Sequence, residues 1–515
     1  MFIREVKNRS GSVSIQIISK SSGKYKVVRT VGCATTRQEI DDLKIKAKQE
    51  LEKIRRQPSL FTSSLDEKII GAIALLRNAD IKTVGPELIF GKIYDSIGFP
   101  SLNEPMFKNI VIARLAFPLS KLKTSEYLYR YQGKSIDVNK IYRFLDKLNN
   151  DLKEQVQQIA FEYTKKVLKG DLSIVFYDMT TLYFEASDED DLRKTGFSKD
   201  GKHSNPQIFI GLLVGLGGYA IGYDIFEGNT YEGHTLIPFL EKMQSKFSLN
   251  KPIVIADSGL LSKTNLLALE DNGYKFILGA RIKNEDARTQ SQIKKHNFSQ
   301  NNFYWQDKEI IDNEGVIRER RLIIHYSDKR AKKDGYNRER GLKRLEKRLK
   351  SGKLTKSNIN NRGYNKYLNM EGEVRINIDY EKYKADAVWD GLKGYITNTK
   401  LSNQKILDNY NNLWHIEKAF RMSKTDLRIR PIYHRLRHRI EAHICISFTA
   451  YTIYKELERI LKAENSDISL KKASEITHTI YQVTYRLPDS GYEKTQLLKM
   501  DEEQTHLCQI IAKNF

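Results

Sequence analysis

Two short β-prone runs, each closing on an aspartate, limit the folds open to this chain. Leu172-Ser173-Ile174-Val175-Phe176-Tyr177 ends at Asp178, and Pro252-Ile253-Val254-Ile255-Ala256 ends at Asp257. Runs this rich in Val, Ile and aromatic residues read as strands buried on both faces. Aspartates at the C-terminal ends of such strands point into the crevice at the sheet edge, where α/β folds place their chemistry. Asp178 and Asp257 are thus able to meet although 79 positions separate them. Mg2+ or Mn2+ prefers carboxylate oxygen, and two such ions about 4 Å apart clamp the attacking and leaving oxygens of an in-line phosphoryl transfer. For either aspartate alone, the plainer reading is a strand end or a cap on the next helix.

The elements around them form a mixed α/β layer. Ile208–Leu216 and Tyr219–Phe226 flank Gly217-Gly218, a hairpin signal because the tight turn needs positive φ. A helix is expected from His234 to Lys246, another over Asn265–Asn272, and a strand over Tyr274–Gly279. The order strand, hairpin, helix, strand, helix, strand predicts a sheet with a short parallel section. Residues 285–390 break this order and read as an insertion, with a strand-like Ile317–Tyr326, a basic helix Lys329–Lys350 and a loop at Asn358–Tyr367. A strand resumes at Gly394–Thr399, followed by one long helix over about 403–425.

That helix carries a third carboxylate. At about 100° per residue, Tyr410, Glu417, Arg421 and Lys424 fall on one polar stripe, beside an apolar stripe of Leu413, Ile416 and Phe420 that would dock it. A carboxylate flanked by cations and a phenol suits a metal with phosphates beside it. A Glu417–Arg421 pair on a solvated face, worth ~0.3–0.5 kcal/mol, is the bland alternative. Taken alone, the stripe leaves the two readings nearly even. Lys and Arg number 87 against 64 Asp and Glu, a net charge of +23, which suits a polyanionic partner, nucleic acid before an acidic membrane surface. Lys343, Arg344 and Lys347 in the basic helix, and Arg428 and Arg430 just past Glu417 in a cluster running through His434 to Arg439, are candidate phosphate contacts. His234 and His415 are weak metal-ligand candidates. Trp389 and Tyr395 suit core packing better than base stacking. Loop 185–207, with Asp188-Glu-Asp-Asp191 and Lys199–His203, reads as solvated.

Residues 12–32 alternate as a hairpin about Ser21-Ser22-Gly23, and a charged helix follows over 36–56. Residues 65–165 are mostly helical, with breaks at Pro118 and Asp137, and read equally as a DNA-binding unit or a support. The three cysteines lie far apart, so neither a disulfide framework nor a structural zinc site is expected. The apolar stretch Ile208–Tyr223 is too short to span a bilayer, so a soluble, cytoplasmic protein without membrane contact is expected.

Four motifs in order resemble a known family. Asp178-Met-Thr-Thr, Gly222-Tyr-Asp-Ile-Phe-Glu-Gly228-Asn229-Thr-Tyr-Glu232, Ala256-Asp257-Ser-Gly-Leu and Tyr410…Glu417…Lys424 look like the DDE transposases of bacterial insertion sequences. More narrowly, they look like the IS-four-type branch, whose last carboxylate lies in a Tyr-x2-Arg-x3-Glu-x6-Lys signature. The resemblance covers roughly residues 172–440. It implies an RNase H-like core interrupted by an insertion, with Asp178, Asp257 and Glu417 holding two Mg2+ (or Mn2+) ions. It also implies that Tyr410 and Lys424 contact transposon-end DNA. Leu413 stands at the signature's Arg position, and Arg421 is the inferred substitute.

The expected organisation is an N-terminal β-hairpin and helix (1–60), a helical and probable DNA-binding region (61–168), the core's first part (169–284), the insertion domain (285–390), the core's second part with the catalytic helix (391–440), and a mainly helical C-terminal region (441–515). The expected activity is metal-dependent cleavage at transposon ends and strand transfer into target DNA, by a homodimer that synapses two ends. An RNase H-like nuclease that cuts without joining, and a non-catalytic DNA-binding relative, are the alternatives.

Overall fold

The computed structural model describes residues 1–515 except 22, 56–63, 199–200, 300–301, 312–314, 353, 356–357, 361–362 and 372–374. The chain forms two compact units, and the larger comprises 85–129, 134–479 and 501–515.

In the smaller unit, strands β1 (Phe2–Lys7), β2 (Val13–Ser21) and β3 (Lys24–Ala34) form an antiparallel sheet in that order. Ile15 and Ile17 alternate onto one face and bury against Ala47 of helix α1 (Arg37–Arg55). The sequence showed β2 and β3 as a hairpin; β1 is the addition. Its Phe2 and Glu5 are exposed, so period-two burial is weak there. β4 (Ile81–Thr83) pairs with the strand Tyr481–Arg486, which also pairs with Glu493–Leu497. The C-terminal stretch therefore holds an antiparallel hairpin between its helices.

The larger unit is built on an eight-stranded mixed sheet. Its strands are β5 (Ile174–Tyr183), β6 (Gln207–Val214), β7 (Ala220–Glu227), β8 (Ile253–Ala256), β9 (Lys275–Ala280), β10 (Phe303–Ile311), β11 (Ile317–Tyr326) and β14 (Leu392–Thr397). The order is β10-β11-β14-β9-β8-β5-β6-β7. β5, β8 and β9 are mutually parallel and the rest pair antiparallel. The β6–β7 hairpin turns through Gly217 (φ 72°) and Gly218 (φ 86°) as expected, but its connection is longer than two residues, closing with Gly215 N–H on the Tyr219 carbonyl at 2.8 Å.

Alternation along β5 assigns its two faces. Val175, Tyr177 and Met179 join the core with Phe161, Phe239, Leu240, Met243 and Phe247. Phe161 belongs to helix α2 (Lys153–Val167) and the last four to helix α3 (Leu236–Phe247). Asp178, Thr180 and Leu182 therefore face the other way. Between β9 and β14, β10 and β11 extend the main sheet as a hairpin. Helix α4 (Asp328–Lys350) packs Leu345 against Tyr367, Leu368 and Ile378, the latter two on the small pair β12 (Leu368–Glu371) and β13 (Arg375–Ile378).

The expected single helix over 403–425 is two helices, α5 (Asn403–Asn411) and α6 (Trp414–Thr425). The chain tightens between them: Leu413 N–H bonds the Tyr410 carbonyl and His415 N–H the Asn412 carbonyl, both at 3.0 Å and both spanning three residues. Asn411-Asn412 is a poor helix interior, because these side chains compete for backbone partners. Beyond α6 runs a 27-residue helix, α7 (Arg437–Ala463), buried along most of its length. Loop 185–207 includes Lys199 and Asp200, and the loop at 358–367 includes residues 361–362; these four lie outside the described residues, while Gly363–Tyr367 form a 3-10 turn.

Candidate active site

The parallel pairing places the two aspartates at one level. Tyr177 registers with Ala256 across β5 and β8, so the next positions on the two chains are Asp178 and Asp257. Adjacent strands lie about 4.8 Å apart. Ala256, like Tyr177, belongs to the core on the α3 side, so Asp257 follows it onto the face of Asp178.

Helix α6 covers that same face. Thr180 and Leu182 of β5 line a small cavity with Phe420, Ser423 and Lys424. Ile416, Ala419 and Met422 are buried, while Glu417 and Arg421 stay exposed and Lys424 is half-buried. The break before α6 redirects Tyr410. It lies on α5, is 2% exposed, and donates its hydroxyl to Asp257 Oδ1 at 3.1 Å. Burial, then the Asp257 charge, push the phenol well above its ordinary range, so it stays a donor.

A glycine makes this reach possible. A Cβ on Gly279 of β9 would lie 2.7 Å from the Tyr410 hydroxyl and 3.0 Å from the Ser258 nitrogen. The loop after Asp257 is also tied down: Arg281 Nη2 donates to the Ser258 carbonyl at 2.8 Å.

Sequence reasoning missed Lys393. β14 runs antiparallel to β9, so its first residues sit at the edge where the parallel strands end. The Lys393 ammonium lies 4.4 Å from the Tyr410 ring centre. Burial, then Arg330, lower its pKa, and the charges of Asp257 and Glu417 both oppose that shift. Asp257 and Glu417 thus act electrostatically on the same lysine and the same phenol. No motif pointed to Lys393, since only sheet pairing brings it here. Glu232 belongs to a quoted motif but had no assigned role; its Oε2 would lie 3.6 Å from a Cβ on Gly259.

From Asp257 a cleft of about 710 Å³ extends along the inserted segment, lined by Arg281, Lys283, Arg330, Arg338, Lys366 and Lys393. Its remaining acids are matched: Asp334 with Arg330 at 3.4 Å, Asp390 with Arg338 at 2.6 Å, and Asp386 with Lys283 at 2.6 Å and with Lys366. Lys343, Arg344 and Lys347 lie farther along α4, exposed and outside this lining, with Lys343 paired to Glu339 at 2.7 Å. Arg428 and Arg430 lie past α6 at a different cleft. Trp389 and Tyr395 are buried at 8% and 2% exposure, as core packing requires. His415 is held neutral, its pKa lowered to about 4 by burial and neighbouring lysines.

Among the described residues, no three of His, Cys, Asp and Glu form a ready-made metal cage. The donor set is still of the right kind. Magnesium is commonly held by one or two carboxylates, with water and substrate phosphate supplying the other oxygens. Asp178 beside Asp257 meets that requirement.

The fold was compared with known proteins. No curated protein matches the chain. Among solved structures, a piggyBac transposase synaptic complex with hairpin DNA is similar at 8% identity and TM-score 0.36, covering 84% of this chain and 75% of that one. A Mos1 transposase paired-end complex with a left transposon end is similar at 12% identity and TM-score 0.16, over 34% and 58%. A Mos1 mariner paired-end complex with Mn is similar at 13% identity and TM-score 0.14, over 31% and 54%. The family model described as "Transposase DDE domain" matches residues 169–453, more than half of the chain and a span that encloses Asp178, Asp257 and Glu417. With that match on top of the paired strand-end aspartates and the α6 glutamate, the chain belongs to the DDE-domain transposase family.

Proposed function

We propose that this transposase cuts DNA at the ends of a mobile element and joins the freed 3′ ends to target DNA. Asp178, Asp257 and Glu417 are its catalytic carboxylates. The observation that carries the reading is the level register of Asp178 and Asp257 on parallel strands, with Glu417 on the helix covering the same face.

Asp178, Asp257 and Glu417 would hold a divalent cation, which would supply Lewis-acid activation of the attacking oxygen and stabilisation of the leaving one. The chain's own residues prepare the place. Tyr410 holds Asp257 by a hydrogen bond, and Gly279 leaves the phenol its room. Lys393 supplies a partly desolvated positive charge beside Asp257 and Glu417, suited to a phosphate oxygen carrying charge in the transition state. Arg281, Lys283 and Arg330 line the cleft that leads from Asp257 and suits a DNA backbone. Arg421 and Lys424 on α6, and Lys343, Arg344 and Lys347 on α4, are further phosphate contacts in this proposal. Within the same proposal, two protomers bring two ends together.

The test is a plasmid bearing a marker between the two DNA segments that flank this gene, incubated with the protein, Mg2+ and a target plasmid. Joined products are expected. Cleaved ends without joining would instead identify a nuclease. Glu417→Gln should lower cleavage by about 10^3-fold or more, equivalent to ~4 kcal/mol of barrier, with end binding retained. Undiminished cleavage by this variant would remove Glu417 from the mechanism.

A further inference from the structure

A second cleft, of about 520 Å³, is lined by Arg114, Lys121, Tyr142, Arg428, Arg430, Tyr433, His434 and His443 among others, and no carboxylate contributes to its lining. Three of its basic side chains are interior: Arg114 is 5% exposed, Lys121 4% and His443 5%. Among the described residues, Arg114 reaches the carbonyls of Leu427 and Arg428, at 3.5 and 3.4 Å, and no carboxylate. Among the described residues no carboxylate pairs with Lys121, whose charge feels only burial and the like charge of Arg114. His443 gives one ring nitrogen to the Ile429 carbonyl at 2.9 Å, and its Nδ1 is buried without a hydrogen-bond partner among the described residues.

Buried cations are ordinarily paired, because desolvation of a lone charge is costly. Elsewhere this protein follows the rule. Arg320 is held by Glu270 at 2.8 Å, and Lys455 by Glu458 at 2.5 Å, both cations being buried. In the second cleft, no carboxylate among the described residues pairs with the buried Arg114, Lys121 or His443. The mouth indicates what supplies the counter-charge. Arg428 is exposed, and the Tyr433 ring is 70% exposed, a platform for a base or sugar that a free inorganic ion would not use. The segment 428–434 also follows directly on α6, and its Ile432 bridges to Phe184 beyond the end of β5, where the Arg430 guanidinium lies 5.6 Å from the Tyr183 ring centre.

We propose that the cleft formed by Arg114, Lys121, His434 and His443 binds a backbone phosphate of the DNA this protein handles, with Tyr433 against the adjoining nucleotide. The assignment of the phosphate to DNA rests on the transposase reading; the anion site itself does not.

The experiment uses the full chain in EDTA, so that cleavage plays no part. Thermal unfolding is followed with inorganic phosphate and with chloride at matched ionic strength, and binding of a labelled generic duplex is titrated against salt. Phosphate should raise the Tm of the parent protein and not that of Lys121→Met, and this variant should melt above the parent in chloride because a lone buried charge is gone. Lys121→Met and the rim variant Arg428→Gln should each lower the slope of log K against log salt by about 1, while Lys494→Met, the same charge change on an exposed strand, leaves it unaltered. If Lys121→Met does not fold, Arg428→Gln carries the DNA arm alone. Stabilisation by phosphate with unaltered slopes would overturn the DNA assignment in favour of a free small anion. No stabilisation by phosphate would overturn the site.

Discussion

The carboxylate edge of the sheet and the basic cleft behind α6 gather charge in opposite ways. At the edge, Asp257 and Glu417 are exposed and have neighbours of complementary character, the Tyr410 phenol and the Lys393 ammonium. In the cleft, Arg114 and Lys121 are buried among other bases, and burial lowers the Arg114 pKa to about 10. The first arrangement is solvated and open to a divalent cation. The second is balanced only when an anion arrives. Exposed charge is cheaply solvated, whereas interior charge needs a partner, so a set of bases kept inside without one marks a ligand more directly than a surface patch does.

Perturbing each side separately sharpens this contrast. Among the residues that surround the carboxylates, the largest effect is expected from Gly279→Ala. The added methyl meets the Tyr410 hydroxyl and the Ser258 backbone, so the phenol is driven from Asp257 and the loop shifts. Cleavage should fall by about 10^2-fold, and overpacking should cost ~1–3 kcal/mol of stability in a urea melt. An intact rate would show that Tyr410 does not position Asp257. Tyr410→Phe removes the hydrogen bond without adding bulk. A hydrogen bond to a charged group is worth ~1.5–3 kcal/mol, so the rate should drop by about 10-fold or more, with DNA affinity preserved. An affinity loss equal to the rate loss would instead make the phenol a DNA contact.

The smallest effect belongs to the cleft. Burial, then Lys121, Arg114 and Arg439, lower the His434 pKa from 6.5 to about 3. Below pH 6.5 the unfolded chain takes up a proton that the folded ring refuses, so stability falls as pH drops from 6.5 toward 3. His434→Phe should flatten that part of a Tm-against-pH curve relative to the parent. Parallel curves would show that the ring is not excluded from protonation.

The sheet was legible because its residues carry local signals. The runs ending at Asp178 and Asp257, the Gly217-Gly218 turn and the apolar stripe of α6 each follow from periodicity over a few residues. The stripe joining Tyr410 to Glu417 failed because it assumed one straight helix, and two asparagines with a three-residue turn suffice to break the phase. Lys393 gave no signal at all. It follows the inserted segment and reaches Asp257 only through pairing of β14 with β9. Along the sequence the residues around His434 form one basic cluster, yet the structure divides it: Arg437 and Arg439 are tied to Glu441 and Asp146, while Arg428, Arg430 and His434 turn to the cleft.

By itself the sequence determined the central strands of the sheet, which two aspartates follow them, and that the chain is strongly basic. These depend on side-chain chemistry and short-range spacing, both written along the chain. Which acids share a face, which lysine stands beside them, and which bases are buried beside like charges were decided by tertiary structure alone. Register and burial arise from contacts between segments far apart along the chain, and no local pattern encodes them.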